Sequence, residues 1–414
     1  MAITLVNFFG LLGGLLVLAY LANRFAHRTR VPDVVVLLVC GILLGPVLHW
    51  INAEGFPKVT RGVGTLALIL ILFAAGLELD LRRARKQFVA GMVLAVLSYA
   101  LTMEGLHLFC MHVLKMQRMA SLLAAAALAC MSGSIVLPVL EQLDLRPELK
   151  TTLVIESSFG DGLGALVVGV LISLMGDATA GHTSGGAILG GVLSQFVLRF
   201  VLALVIAAVA GVLWARLLPK ISNKKFWQVL TFAAVLIVYS GTHALGGSDL
   251  FAVMVFGATL ASLLGPESFL REFEVEFNAT DEGSQIHSFH SDLAFLVRSF
   301  FFVLLGAMIQ FRGLKEQLLP SLGILAVILV VRYASVNASR LVWRGTNWRE
   351  RELATMLIPR GLITAVLALE AIQAMPNDLL FFPSLTFALI LLTNALALVA
   401  TVRAKGLREG AAEA

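Results

Sequence analysis

The sequence predicts an all-α polytopic membrane protein of about thirteen transmembrane helices, arranged as two inverted six-helix repeats with interrupted helices at positions 5 and 12. Three observations predict it: composition, the length of the apolar runs, and the alternation of basic loops. Of 414 residues, 59% are hydrophobic and 14% charged, whereas a soluble domain is about 45 to 50% apolar and about 25% charged. A soluble chain could not bury that excess.

Apolar runs of about 18 residues or more can cross a hydrocarbon layer as helices. Thirteen such segments are readable, at 3–22, 32–50, 63–79, 88–114, 119–140, 152–175, 187–217, 226–245, 249–264, 293–311, 319–343, 352–374 and 380–402. The first has its basic residues, Arg24, Arg28 and Arg30, after its apolar core, the reverse of a secretory signal, so it reads as a retained span with the N-terminus outside. The ninth is short and shares the corner Leu245-Gly246-Gly247-Ser248 with the eighth. After residue 402 about a dozen residues remain, which predicts one membrane unit (1–402) with a short cytoplasmic tail (403–414).

Loop charges fix the orientation, because basic residues accumulate on the cytoplasmic side. With the N-terminus outside, the inner loops hold 21 of the 31 Lys and Arg, the outer loops 6, and Arg199, Arg298, Arg332 and Arg360 fall inside spans. A missed span would scramble this bias. The net charge of +5 is thereby spread through short loops and forms no nucleic-acid patch. Cys40, Cys110 and Cys130 lie unpaired in apolar spans and read as packed thiols. The extended loop 265–292 carries several carboxylates with His287 and His290, a solvated loop with some capacity for pH sensing.

Two spans carry interruptions. The fifth reads Cys130-Met131-Ser132-Gly133-Ser134-Ile135-Val136-Leu137-Pro138 and the twelfth Leu357-Ile358-Pro359-Arg360-Gly361-Leu362. Proline removes an amide donor, and glycine and serine weaken a helix. Such breaks survive at membrane depth only where the freed groups are buried in protein or line a water cavity. The two are seven spans apart in thirteen, so spans 1 to 6 and 8 to 13 form two repeats about the seventh, and an odd offset inverts the second. Paired broken helices in inverted repeats mark a secondary transporter, with half-helix ends supplying partial charges to an ion.

Span 6 holds two intramembrane carboxylates, in Glu156-Ser157-Ser158-Phe159-Gly160-Asp161-Gly162. At about 100° per residue, Ser157 and Ser158 share a face with Asp161, and Glu156 is rotated by about 140°. Asp161, flanked by glycines, has room for water or a dehydrated ion. Glu156 needs a cation from another span, and Arg332 in span 11 is the candidate. Arg360 at the twelfth-span break either neutralises half-helix carbonyls or lines an ion path. Arg199, Arg298 and Glu370 read as packing or snorkelling residues.

Together these residues resemble the monovalent cation:proton antiporter superfamily, in particular NhaP-type sodium/proton exchangers. The resemblance covers most of the chain. It rests on Phe73-Ala74-Ala75-Gly76-Leu77-Glu78-Leu79, the Glu156 to Asp161 stretch, Ala244-Leu245-Gly246-Gly247-Ser248 with Leu250-Phe251-Ala252-Val253, Phe301-Phe302-Val303-Leu304-Leu305-Gly306, Arg332 and Pro359-Arg360-Gly361-Leu362. It implies a core of spans 4 to 6 and 11 to 13 (about 88–175 and 319–402) in which the broken spans 5 and 12 cross. It also implies a dimerisation part of spans 1 to 3 and 8 to 10 (about 1–87 and 226–311), joined by the linker span 187–217, in a homodimer. By the same resemblance Asp161 carries the monovalent cation or proton, with Ser157 and Ser132 as oxygen donors. Glu156 and Arg332 form a structural ion pair, and Glu78, Ser158 and Arg360 border the ion path.

Two departures stand out. Gly160 replaces the Asn or Asp that usually precedes the essential Asp, and Met131-Ser132 replaces a Thr-Asp pair, closer to the potassium-efflux branch. The expected function is exchange of sodium, potassium or lithium for protons across a bacterial inner membrane, with no cofactor and no enzymatic activity. A channel or non-transporting sensor on the same fold is the alternative. An intramembrane aspartyl protease is remote, because it needs two aspartates sharing a proton and Asp249 sits at a span edge.

Overall fold

A computed structural model describes residues 5–29, 33–50, 57–79, 85–143, 145–179, 185–221, 223, 226–264, 281–307, 314–338 and 347–412. Among the described residues the fold is all helical, without a β-strand. In hydrocarbon no water competes for amides, so each apolar run satisfies its backbone internally. The first four spans are α1 (Leu5–Thr29), α2 (Asp33–Ile42, continued by a π-helical turn at Leu43–Val47 that accommodates Pro46), α3 (Pro57–Glu78) and α4 (Arg85–His112). Next come α5 (Arg118–Ala129), α6 (Gly133–Gln142), α7 (Pro147–Thr179) and α8 (Gly185–Leu217). The second half contains α9 (Trp227–Ala244), α10 (Asp249–Leu264), α11 (Asp281–Ala307), α12 (Leu314–Ala338), α13 (Trp348–Met356), α14 (Leu362–Ala374) and α15 (Phe382–Ala412).

The fifth and twelfth apolar runs are thus each two helices, α5 with α6 and α13 with α14. In the first pair the non-helical residues are 130–132 alone, and Pro138 lies within α6. This narrows the interruption expected at Cys130 to Pro138. A proline five residues into a helix forfeits one backbone bond without ending it, whereas residues 130–132 are drawn straight by a partner described below.

Helices α4 to α7 pack with one another and with α12 to α15, while α1 to α3 pack with α9 to α11. Helix α8 lies against α9, α10 and α7. In its most apolar stretch 67% of α7 is buried, against 17% of α8, so α7 is central and α8 peripheral. The first group meets the second where α7 and α14 touch α3 and α7 touches α10. Between α3 and α10 the backbones approach closely: a Cβ on Gly76 would collide with the Met254 carbonyl, and one on Gly257 with that of Phe73. Small residues permit such backbone proximity in lipid, where apolar burial drives no association. The fully buried Phe73 and Phe256 stack across this seam with ring centroids 5.8 Å apart, and Phe251 packs against Phe159 of α7 and Phe200 of α8.

The acidic stretch 265–280 lies outside the described residues, as does the side chain of His287. His290, in α11, is buried against Phe73 and Phe289.

Candidate functional site

The chain is non-helical at two places deep in the first packing group. Cys130 (φ −64°, ψ 137°) and Ser132 (φ −77°, ψ 109°) are extended between α5 and α6, and residues 357–361 separate α13 from α14. The two stretches meet: the Ser132 amide donates to the Pro359 carbonyl at 2.9 Å. That carbonyl would otherwise be a buried orphan at a helix break. A Cβ on Gly361 would run into the Ser132 side chain, so glycine permits the approach.

Other freed groups are satisfied in the same place. The Cys130 carbonyl accepts from the Arg360 guanidinium and, at 3.5 Å, from the Thr364 hydroxyl. The Arg360 amide donates to Thr393 Oγ1 at 3.1 Å, and its carbonyl accepts from Asn394 Nδ2 at 2.8 Å. Arg360 therefore places positive charge on the carbonyl end of α5, where the helix dipole is negative.

Asp161 projects from α7 into this crossing and is 1% exposed. Its Oδ2 accepts from the Gly133 amide, the first of α6, at 3.1 Å. A helix N-terminus favours an anion through its free amides and its dipole. Its Oδ1 is buried and has no hydrogen-bond partner. A Cβ on Gly133 would lie 3.4 Å from both Ser157 Oγ and Ser158 Oγ and 3.5 Å from Asp161 Oδ2, so three side-chain oxygens converge on the start of α6. The Ser157 hydroxyl donates to the Val154 carbonyl at 3.0 Å, which leaves its lone pairs to face outward from the helix. Beside Asp161, a Cβ on Gly160 would meet nothing within 4 Å. Ser132 is also buried here. Glu78 closes α3, and its side chain lies outside the described residues.

Glu156 points elsewhere. Its two carboxylate oxygens accept from Nη1 and, at 2.9 Å, Nη2 of Arg332 in a bidentate pair, with both residues almost fully buried. Arg332 Nε donates to the Ala354 carbonyl at 3.1 Å and Nη1 also to Ser98 Oγ at 3.3 Å. The guanidinium thus ties α7, α12, α13 and α4 together in the geometry that suits it best.

The sequence profile of the sodium/hydrogen exchanger, transmembrane, matches residues 13–403. The chain belongs to that family. This exchanger is 26% identical over 381 residues to Na(+)/H(+) antiporter 1 of Methanocaldococcus jannaschii, covering 87% of this chain and 82% of the relative. It is 23% identical to the K(+)/H(+) antiporter NhaP of Alkalimonas amylolytica, over 92% of this chain and 63% of that longer protein. Its fold is similar to that of the sodium proton antiporter MjNhaP1 from Methanocaldococcus jannaschii at pH 8, with a TM-score of 0.76, 24% identity and 95% of each chain covered.

Several residues of the exchanger's crossing escape sequence reasoning. Thr393 and Asn394 of α15 clamp Arg360 from behind, and the Tyr99 hydroxyl of α4 donates to the Ala126 carbonyl at 3.1 Å. A polar pair inside a long apolar span was the available signal for the first two. Among the described residues no group of three or more His, Cys, Asp or Glu could hold a metal ion. The three cysteines are free thiols. Arg298 sits over the Phe295 ring at 5.8 Å, and Arg199 is fixed through its carbonyl, which accepts from the Ser248 amide at 3.3 Å.

Proposed function

We propose that this exchanger is a secondary active antiporter of a monovalent cation, Na+ or K+, against H+, working by alternating access with Asp161 as the shared binding group. One observation carries the reading: a buried carboxylate, with one oxygen free of protein partners, stands at a helix N-terminus where two interrupted helices cross. The names of the relatives, which include Na+/H+ and K+/H+ antiporters, support the substrate class.

The chemistry follows from desolvation. Asp161 bearing a proton or a monovalent cation is formally neutral and can change sides through a low-dielectric barrier. Bare, it is an anion whose transfer is heavily penalised. Either ligand must therefore be bound for the transition, and exchange is obligatory. Ser157 and Ser132, with backbone carbonyls of the extended stretch, replace part of a cation's hydration shell, and Ser158, Glu78 and Arg360 border its path. Gly160 offers no second titratable group, so each turnover exchanges one cation for one proton without net charge. Glu156 and Arg332 hold the core together and take no part in binding.

On the same reading α4 to α7 and α12 to α15 form the moving core of a thirteen-span inverted repeat. Helices α1 to α3 and α9 to α11 form the fixed part of a homodimer, linked by α8. The protein sits in a bacterial inner membrane with its N-terminus outside. The test is proteoliposomes carrying the full chain and a trapped pH dye. Adding Na+, K+ or Li+ outside should produce saturable proton movement at a rate independent of imposed voltage. A voltage-dependent rate with net charge transfer refutes the stoichiometry, and a steady non-saturating current in a bilayer recording favours a channel.

A further inference from the structure

A groove of about 430 Å³ lies between α12 and α13. Leu329, Tyr333 and Asn337 line it from α12 at four-residue spacing, and therefore from one helical face. Trp348, Arg351 and Met356 line it from α13. The two helices run antiparallel, as two bonds between them show: Arg351 Nη1 to Asn337 Oδ1 at 3.1 Å, and Arg332 Nε to the Ala354 carbonyl at 3.1 Å. Asn337, Trp348 and Arg351 consequently gather at one end of the groove. Leu329 and Met356 lie at the other, about 12 Å deeper along α12 at 1.5 Å per residue.

Among the described residues that line the groove, the uncompensated charge lies at its polar end. Glu352 also lines the groove, but Arg403 Nη2 pairs with it at 3.0 Å. Among the described residues no carboxylate pairs with Arg351: Asn337 orients its guanidinium, and its Nε is buried without a hydrogen-bond partner. Flanking it, Trp348 is 62% and Tyr333 64% exposed. Large amphipathic rings at that level are the mark of a membrane–water interface. A half-buried cation at the polar end, aromatic rims and an apolar floor at depth match a phospholipid from phosphate to acyl chain.

We propose that this groove seats an anionic glycerophospholipid, with its phosphate on Arg351 and the start of one chain along Leu329 and Met356. Free phosphate would leave the apolar end unused. A zwitterionic lipid would bring an ammonium group toward Arg351. The occupant has a structural lever, because α13 leads into the interrupted stretch at 357–361 and shares the Arg332 clamp with α12. The site rests on the membrane setting and stands independently of the exchange mechanism.

Native mass spectrometry of the full chain in neutral detergent tests it, with phosphatidylglycerol, phosphatidylcholine and glycerol 3-phosphate titrated separately. Phosphatidylglycerol should be retained in preference to phosphatidylcholine, and glycerol 3-phosphate should neither bind comparably nor displace it. Arg351→Gln should weaken phosphatidylglycerol binding about tenfold, the loss of a charge-assisted contact. Arg349→Gln makes the same charge change at an exposed position outside the groove and should leave binding intact. Leu329→Trp, which fills the deep end and keeps Arg351, should weaken binding as Arg351→Gln does, so the result does not hang on one variant folding. Unchanged binding in either folded variant, equal retention of phosphatidylcholine, or displacement by glycerol 3-phosphate overturns the proposal.

Discussion

The Gly133 amide donates to Oδ2 of Asp161 over 3.1 Å, joining the first turn of α6 to the middle of α7 by one hydrogen bond. The break after α5 makes this bond possible, because only a helix start carries amides without an intrahelical acceptor. One carboxylate oxygen is thus anchored while the other has no protein partner. An anchored anion with one open oxygen can exchange ligands without being rebuilt each time, and the proposed cycle depends on this.

Asp161→Asn keeps the volume and an acceptor for the Gly133 amide while removing the charge. Exchange should fall to the level of empty liposomes for every cation, and the detergent melting temperature should not drop below the wild-type value. Dye-monitored exchange with a parallel melt checks both halves. Exchange at the wild-type rate takes Asp161 out of the cycle.

Gly133→Ala separates binding from folding. The new methyl would sit 3.4 to 3.5 Å from Ser157 Oγ, Ser158 Oγ and Asp161 Oδ2, an ordinary contact distance, so the fold should accept it. The variant should melt no lower than wild type. Its cation KM should rise severalfold, because the methyl occupies the space into which the three oxygens converge. A lower melting temperature with unchanged KM would place the ion elsewhere.

The all-helical fold was legible because hydrocarbon leaves the backbone few alternatives, and the two breaks because proline and glycine are costly in a span. Their extent was less legible. Pro138 is a strong local signal, yet the chain straightens at 130–132, where the Ser132 amide finds the Pro359 carbonyl more than 220 residues away. No local propensity encodes that partner. Around the site, a buried carboxylate demands a cation, and that demand points from Glu156 to Arg332 before any coordinates are known. Thr393 and Asn394 answer a backbone need instead: they bind the amide and carbonyl that Arg360 exposes by leaving the helix. Backbone needs of this kind leave no charge to balance, and the polar pair inside an apolar span is their one trace in the sequence.

The Arg146 and Glu350 pair gives a pH signature outside the spans. Arg146 Nε and Nη2 each donate to Glu350 at 2.9 Å, and Glu350 also accepts from the Asn347 amide in the capping box that opens α13. Burial pushes the Glu350 carboxyl up, but the Arg146 and Asn347 hydrogen bonds outweigh it and hold the group below its ordinary value. A carboxyl depressed in the folded state stabilises fully above its unfolded value, about 4.3, and loses that contribution as pH falls through the folded one. The Arg146 side chain is 46% exposed, so screening keeps the pair small, about 0.2 to 1 kcal/mol. Glu350→Gln should therefore melt slightly lower than wild type at pH 7, and the gap should close below about pH 4. A gap independent of pH would mean that the cap, and not the charge, matters.

Glu156→Gln tests the other buried carboxylate by leaving Arg332 charged with no counterion at 2% exposure. Breaking a buried pair from one side typically costs about 3 to 5 kcal/mol, well above the net worth of the intact pair, because the orphaned charge stays desolvated. The Ala354 carbonyl and Ser98 hydroxyl still accept from the guanidinium, which sets the expected loss toward the lower end. The variant should melt several degrees below wild type in detergent, and the protein that remains folded should keep its cation KM, since Glu156 faces away from the Gly133 amide. Replacing both partners together, Glu156→Gln with Arg332→Met, removes the orphan and should recover part of the lost stability. If the single variant melts like wild type but loses exchange, Glu156 belongs to the transport path and the division of labour between Glu156 and Asp161 is wrong.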